Sequence, residues 1–300
     1  MAQQNLIVIA GPTASGKTSL SVALAKELKC PIISADSRQF YKEMSIGTAK
    51  PTRDEMQGVM HYFIDSHSIE EPLSAGTFER LALQRLEKLF KKNEYVILVG
   101  GSGMFIDALI YGTDQLPHSE EVRLELNAFY NTNGLQGLQE QLRENDPKYY
   151  QEVDKNNPVR LIRALEVISI TGTPFSQLRS RSKKRRPFKT HYFAIDIPRN
   201  ILYDRINQRV LDMIEQGLES EARLLFSKKE YTALNTVGYK EFFQYFNDEI
   251  DRSTMIALIQ RNTRRYAKRQ LTWFRRNPLI QWIPFQQSEA MLADCLKQLD

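Results

Sequence analysis

The octet Gly11-Pro12-Thr13-Ala14-Ser15-Gly16-Lys17-Thr18 has the residue types and spacing needed to hold phosphate. Its glycines let the backbone curl until N–H groups point inward at anionic oxygens. Lys17 can reach terminal phosphate oxygens, and the Thr18 hydroxyl can ligate Mg²⁺. Asp36, in Ser34-Ala35-Asp36-Ser37-Arg38-Gln39, offers a carboxylate that can hold Mg²⁺ through water, take a proton from a substrate, or simply cap a helix. A second glycine turn, Gly100-Gly101-Ser102-Gly103, would let a substrate approach the backbone closely. At the far end, Arg252 to Arg276 contains no acidic residue. Its helical periodicity puts Met255, Ile259, Tyr266 and Trp273 on one face and Arg261, Arg264, Arg265, Lys268, Arg275 and Arg276 on the other. Like charges one helical turn apart repel, so a face of one sign suits a polyanion, nucleic acid above all.

These groups need a frame. The apolar run Leu6 to Ala10 reads as a buried strand entering the octet, and Thr18 to Lys29 reads as the helix leaving it, with Leu20, Ala23, Leu24 and Leu28 inward. Strand, glycine turn and helix in that order also aim the positive end of a helix dipole at the anion. Residues 31–34 form a second short strand, so Asp36 falls beyond a strand's C-terminal end, where α/β sheets bind ligands. Gly47, Thr48 and Lys50 suit a loop over phosphates. A strand is expected over 61–65, where a lone His61 reads as structural, and another over 95–99; helices are expected over 74–92 and 104–111. Strands alternating with helices predict a parallel sheet and an α/β fold.

The pattern changes near Gly112. Helical spacing over 120–130, 135–144 and 159–169 predicts an all-helical insertion, so we divide the chain into a first core part (1–115), an insertion that contacts the partner (116–190) and a second core part (191–300). The insertion ends in Arg179 to His191, which carries seven Lys/Arg and no acid, a mobile charged run or a second polyanion contact. A strand over 191–197 restarts the core, followed by helices over 199–216, 218–226 and 252–274, a strand over 280–284 and a tail helix. Net charge +5 agrees with an acidic partner. Cys30 and Cys295 are far apart and lack metal-ligand spacing, as in a reduced compartment. We expect no signal peptide, no membrane span and a cytoplasmic location, since no apolar run approaches the roughly 20 residues a span requires.

Several separated motifs together resemble the bacterial tRNA dimethylallyltransferases, the IPP transferase family. They are the octet at 11–18, Ser34-Ala35-Asp36-Ser37, Ile46-Gly47-Thr48-Ala49-Lys50-Pro51, Val99-Gly100-Gly101-Ser102-Gly103, Asn157-Pro158 with Arg160-Leu161 and Arg163-Ala164-Leu165-Glu166-Val167, Gly217 with Glu221 and Arg223, Val237-Gly238-Tyr239, and Tyr266-Ala267-Lys268-Arg269-Gln270 with Thr272-Trp273-Phe274. The resemblance implies a P-loop NTPase-like parallel sheet flanked by helices, with a helical insertion domain. It implies transfer of a dimethylallyl group from its diphosphate to N6 of the adenosine 3′-adjacent to the anticodon. The octet would then hold the prenyl donor's diphosphate with Mg²⁺ on Thr18, and no phosphoryl group would move. Asp36 becomes the general base and Ser102, where the family often has Thr, an adenine-contacting hydroxyl. Arg223 becomes the arginine that stabilises the leaving group, with an i,i+4 pairing to Glu219 as the plainer reading. The tRNA anticodon stem-loop would meet Asp36, Ser37, Arg38, Gln39, Ser102, the run Val159, Arg160, Leu161, Ile162 and Arg163, and Arg264, Arg265 and Lys268. Val159 stands where the family commonly has Gln, which changes how neighbouring bases are read. A monomer is expected. The rival readings are a P-loop kinase of a small metabolite, using the octet for ATP, and prenyl transfer to a free adenine nucleotide; neither needs the basic helix.

Overall fold

The structure is a computed structural model describing residues 3–114, 116–179 and 183–299; Arg181 of the basic run lies outside the described residues, as do Ser180 and Ser182. The chain runs through β1 (Asn5–Ala10), α1 (Lys17–Glu27), β2 (Ile32–Ser34), α2 (Arg53–Met56), β3 (His61–Tyr62), α3 (Ala75–Leu89), β4 (Tyr95–Gly100) and α4 (Gly103–Tyr111). Next come α5 (Glu120–Asn145), α6 (Pro147–Glu152), α7 (Pro158–Thr171) and α8 (Phe175–Leu178). It continues with β5 (Lys189–Asp196), α9 (Arg199–Glu215), α10 (Leu218–Leu225), α11 (Tyr239–Phe246), α12 (Arg252–Phe274), β6 (Gln281–Pro284) and α13 (Ser288–Leu296).

The strands form one sheet in the order β3-β2-β4-β1-β5-β6, and every neighbouring pair is parallel. All of β1 is buried, because helices cover both faces and each face takes alternate residues. Leu6, Val8 and Ala10 pack with Phe78 and Ile106 on one side. Ile7 and Ile9 pack with Leu20 and Leu24 of α1 on the other. Register brings the ends of three strands level: Ala10 pairs with Gly100, and Ser34 with Val99. The octet, the Asp36 loop and the second glycine turn therefore leave one edge of the sheet together.

Contacts separate residues 112–184 from the rest of the chain as a compact unit, against the 116–190 drawn from sequence. β5 begins at Lys189, which pairs with Asn5, so the end of the basic run is already sheet. Arg186, in the same run, caps the end of α4: its Nε donates to Leu109 O at 2.8 Å, and its Nη2 donates to the buried Glu79 carboxylate at 2.8 Å. That arginine is spent on the core.

The helical unit has its own core around Leu138, Leu142, Leu161 and Leu165. Where two helices were expected over 120–144, α5 spans both, and its break at Gly134 (φ 65°, ψ −167°) lies between them. Glu166, fully buried, accepts from Arg123 Nη2 and Arg163 Nη1 at 2.8 Å each and from Ser119 N at 3.2 Å. Burial opposes its ionisation, but these bonds, with one from His118, bring its pKa down to about 2. Elsewhere β3 stops after two residues instead of five, because Phe63 and Asp65 turn to positive φ (63° and 51°), which no strand accommodates. α11 was not anticipated; it follows Gly238 (φ 100°) and buries Tyr239, Phe242 and Phe243 beside Met255 and Ile259.

Candidate active site

The octet forms the expected loop. Gly11 (φ 147°), Ala14 (φ 63°) and Gly16 (φ 93°) turn the chain through conformations disfavoured for most side chains, and α1 starts at Lys17 without an acid in its first turn. A Cβ on Gly11 would come 3.1 Å from Ser15 Oγ. That hydroxyl is fully buried and has no hydrogen-bond partner among the described residues. A buried orphan hydroxyl is costly, and a phosphate oxygen would satisfy it. Lys17 folds back so that Nζ donates to Pro12 O at 2.6 Å. Burial lowers its pKa to about 8, against the pull of Asp36 and with a push from Arg209.

Asp36 does not cap a helix. Its Oδ1 accepts Arg38 N at 3.0 Å, an Asx turn. It lines a small cavity of about 60 Å³ with Lys17, Thr18, Thr13 and Arg209, and also a larger one of about 300 Å³. The larger cavity has an apolar side (Ile206, Val210, Met213, Leu218, Ile259) and a polar rim with Arg38, Lys240 and Arg269. The His61 ring lines the small cavity, and it also makes the structural contact expected of it, Nδ1 to Val59 O at 2.9 Å.

The loop after β2 is tied down residue by residue. Ser37 N donates to Ser102 Oγ at 3.0 Å. Arg38 Nη1 donates to Ala233 O at 3.0 Å. Gln39 Nε2 donates to Thr48 O and Ala49 O at 3.2 and 3.1 Å. Ser102, 9% exposed, thus joins the second glycine turn to the Asp36 loop, and the Tyr266 side chain reaches the same hydroxyl.

Arg223 is not brought to this site. It sits on α10, its guanidinium 3.6 Å from the Phe246 ring centroid and 3.8 Å from Glu219, as an exposed i,i+4 partner does. The arginine beside the octet is Arg209 on α9, whose Nη1 donates to Thr13 Oγ1 at 3.3 Å and which lines the cavities holding Lys17 and Asp36. Arg205, one turn earlier, donates from Nε to Ala14 O at 2.8 Å. No local motif marks either residue; the available signal was the place of Arg209 on α9 between the buried Ile206 and Val210, whereas Arg205 is exposed. Val237 and Gly238, of the Val237-Gly238-Tyr239 motif, line the larger cavity together with Asn235 and Thr236, which no motif marked.

The expected tRNA-contacting run on α7 divides by helix face. Val159 is 74% exposed and Arg160 is exposed, whereas Leu161 and Ile162 are core residues of the helical unit. Arg163 is held by Glu166, Pro117 O and Leu116 O. On α12, Arg265 and Lys268 are exposed, but Arg264 is half-buried, its guanidinium bonded to Asn207 and near the Tyr203 ring. The buried face begins as expected, with Met255 and Ile259 inside, but it continues through Ala267, Gln270 and Phe274, while Trp273, expected inside, is partly exposed.

Thr18, Asp36, Ser34 and Ser21 bring oxygen donors to the small cavity, beside Lys17, His61 and Arg209. Among the described residues no cluster of three His, Cys, Asp or Glu could hold a metal by itself. Such a set fits Mg²⁺, which keeps several waters and leans on substrate phosphates.

The IPP transferase family model matches residues 39–277. This chain belongs to the IPP transferase family. It is 48% identical to the tRNA dimethylallyltransferase of Cytophaga hutchinsonii, over 92% of this chain and 91% of that one. It is 47% identical to that of Christiangramia forsetii, over 97% of each. Its fold matches the crystal structure of the full-length tRNA isopentenylpyrophosphate transferase of Bacillus halodurans with a TM-score of 0.74 and 36% identity, covering 99% of this chain and 96% of that one. Among the described residues no helix is long and apolar enough to cross a membrane.

Proposed function

We propose that this chain transfers a dimethylallyl group from dimethylallyl diphosphate to N6 of the adenosine 3′-adjacent to the anticodon of tRNA, giving N6-isopentenyladenosine and diphosphate. The observation that carries this reading is the double position of Asp36. It belongs at once to the small phosphate-side cavity with Lys17 and Thr18 and to the larger, half-apolar cavity with Arg38 and Arg269. A site with an anion holder at one end, an apolar wall and a carboxylate between them suits displacement at carbon, not phosphoryl transfer. The named activities of the relatives agree with it.

The bond from prenyl C1 to the bridging oxygen breaks as the bond from N6 to C1 forms. Negative charge grows on the departing diphosphate, where the octet's N–H groups, Lys17 and Arg209 stabilise it; fixed donors aimed at developing charge are the largest source of such catalysis. Thr18 would help to hold Mg²⁺, which would supply further charge neutralisation. Asp36 takes the N6 proton, which turns a weak exocyclic amine into an adequate nucleophile. The prenyl tail packs on the α9 and α12 side chains. The adenosine must leave its stack to enter, and Ser37, Arg38 and Gln39 border its way in. Arg265 and Lys268, with Arg160 and Val159 on the helical unit, meet the anticodon stem-loop.

The test is incubation with Mg²⁺, labelled dimethylallyl diphosphate and either unmodified tRNA or AMP. Label is expected in tRNA. Label in AMP alone, or γ-phosphate moving from ATP to a metabolite, overturns the reading. Asp36→Ala is expected to abolish transfer while tRNA still binds; near-normal turnover by that variant would remove Asp36 as the base.

A further inference from the structure

α12 is a basic helix on its outer side, and a mostly apolar inner side is what periodicity predicts. Three residues with polar side-chain atoms depart from that pattern, one of them, Trp273, partly exposed. Tyr266, Gln270 and Trp273 stand at i, i+4 and i+7, one stripe of the helix. Each meets a different residue of the second glycine turn. The Tyr266 side chain reaches the Ser102 hydroxyl. Gln270 Nε2 donates to Gly101 O at 2.8 Å. Trp273 covers Gly103, where a Cβ would fall 2.3 Å from indole Cδ1, and its Nε1 is fixed by Asp107 at 2.8 Å.

Gln270 does something the other two do not. It is 6% exposed, and its Oε1 accepts Thr13 N at 2.9 Å. One amide thus spends an acceptor on the phosphate loop and a donor on the glycine turn. The two partners fix which way the amide faces, since only oxygen can accept from Thr13 and only nitrogen can donate to Gly101. Space is made for it: a Cβ on Gly101 would lie 2.2 Å from Nε2. The consequences run both ways from the amide. Thr13, so held, meets Arg209 through Oγ1 at 3.3 Å. Gly101 precedes Ser102, whose hydroxyl takes the Ser37 N–H next to Asp36.

We propose that Gln270 is a positioning residue for the transfer reaction. It sets the spacing between the loop that holds the leaving diphosphate and the turn that orients the Asp36 segment toward the attacking amine. A buried glutamine between two loops could serve stability alone, so the distinguishing consequence is kinetic. Displacement at carbon needs donor carbon and nucleophile in line, and misplacement by about 1 Å costs on the order of 100-fold in rate. Binding of either substrate alone does not depend on that spacing. The loss therefore belongs in the chemical step and not in affinity.

The inference rests on the proposed prenyl transfer, and the wild-type protein in the same assay separates the two. If wild type moves no label to tRNA, the functional reading fails; if it does, the variants test Gln270. Gln270→Met keeps the volume and deletes both bonds, whereas Gln270→Glu keeps the acceptor for Thr13 and deletes the donor for Gly101. For the folded variants, judged by near-ultraviolet circular dichroism, single-turnover transfer is expected to fall about 10- to 100-fold. tRNA Kd and donor KM should stay within about threefold. A double-mutant cycle of Gln270→Met with Ser102→Ala, and another with Arg209→Lys, should each be non-additive, because one amide serves both sides. Single-turnover rates within twofold of wild type, losses confined to Kd and KM, or strict additivity in both cycles would overturn the proposal. If Gln270→Met does not fold, Gln270→Glu decides alone on the same rate and affinity criteria. If neither folds, Gln270 is a structural residue and the proposal is wrong.

Discussion

Glu221 on α10 accepts the Gly47 N–H at 3.0 Å through Oε1, while its other oxygen accepts Ser45 N and Ile46 N at 2.9 and 2.8 Å. Tyr239 adds a fourth donor at 2.6 Å. One carboxylate from 174 residues away thus fills the pocket made by three successive backbone N–H groups, an arrangement that otherwise binds anions. Gly47 is required there because a Cβ would meet the Tyr239 ring at 2.7 Å. The loop so held supplies Gly47 and Thr48 to the cavity wall. We expect Glu221→Ala to cost about 2–4 kcal/mol, since backbone donors and a buried phenol lose an ionised acceptor. Urea denaturation measures the loss, and limited proteolysis should open first within 42–50. A loss under about 0.5 kcal/mol would contradict the lock.

Arg209 and Arg223 make opposite predictions. Arg209 lines the small cavity shared by Lys17 and Asp36, whereas Arg223 rests on Phe246 at the surface. Arg209→Ala is expected to lower kcat about 100- to 1,000-fold, the usual effect of removing one donor from developing charge. Arg223→Ala should leave kcat/KM within about twofold and stability within about 1 kcal/mol, given a surface pair and one cation–π contact. Steady-state kinetics on both variants decide between them, and a reversed order would restore Arg223.

The contrast shows where the sequence was legible. The octet could be read because its chemistry is local: three positive φ values, an orphan hydroxyl and a helix start all fall within eight residues. The same locality made Asp36 and the glycine turn visible. Arg209 is 196 residues from Thr13, and only folding makes them neighbours. Leu161 and Ile162 were misplaced because a contiguous run was assigned to tRNA, whereas a helix exposes such a run on one side only; Leu161, Leu165 and Ile168 already spell the inner face. Gln270, present only inside a family motif, carries no role in the sequence because a glutamine among arginines looks like surface, and periodicity gives no sign of the two oriented bonds it makes.

Lys17 shows how the phosphate loop carries a cost without its ligand. Burial lowers its pKa from 10.5 to about 8, so at neutral pH the folded protein holds a charge its surroundings disfavour. The unfolded chain binds this proton up to about pH 10.5, the folded one only to about pH 8, so the contribution to stability rises with pH between those values. Lys17→Met should therefore stabilise the ligand-free protein at pH 7 by about 1–2 kcal/mol, less than the full shift because the bond to Pro12 O is lost. It should also abolish diphosphate binding, and the stability advantage should vanish near pH 10. Denaturant titrations at pH 7 and 10 measure both arms, and a destabilised variant at pH 7 would contradict the strain.

The basic face of α12 is smaller than its sequence suggests. Arg264 is turned to Asn207 and Tyr203, leaving Arg265 and Lys268 exposed on the next stretch of helix. If those two neutralise tRNA phosphates, each releases counterions, and log K falls with log salt by about 0.7–0.9 per contact. Arg265→Gln with Lys268→Gln is therefore expected to weaken tRNA binding at low salt and to reduce the slope by about 1.5. Arg264→Gln should change the slope less and should instead lower stability, because Asn207 on α9 loses its partner. Filter binding over 50–300 mM KCl, alongside thermal unfolding, separates these outcomes. An unchanged slope in the double variant would remove Arg265 and Lys268 from the RNA interface and leave that role to other exposed positions, such as Arg261 and Arg269 on α12 or Arg160 on the helical unit.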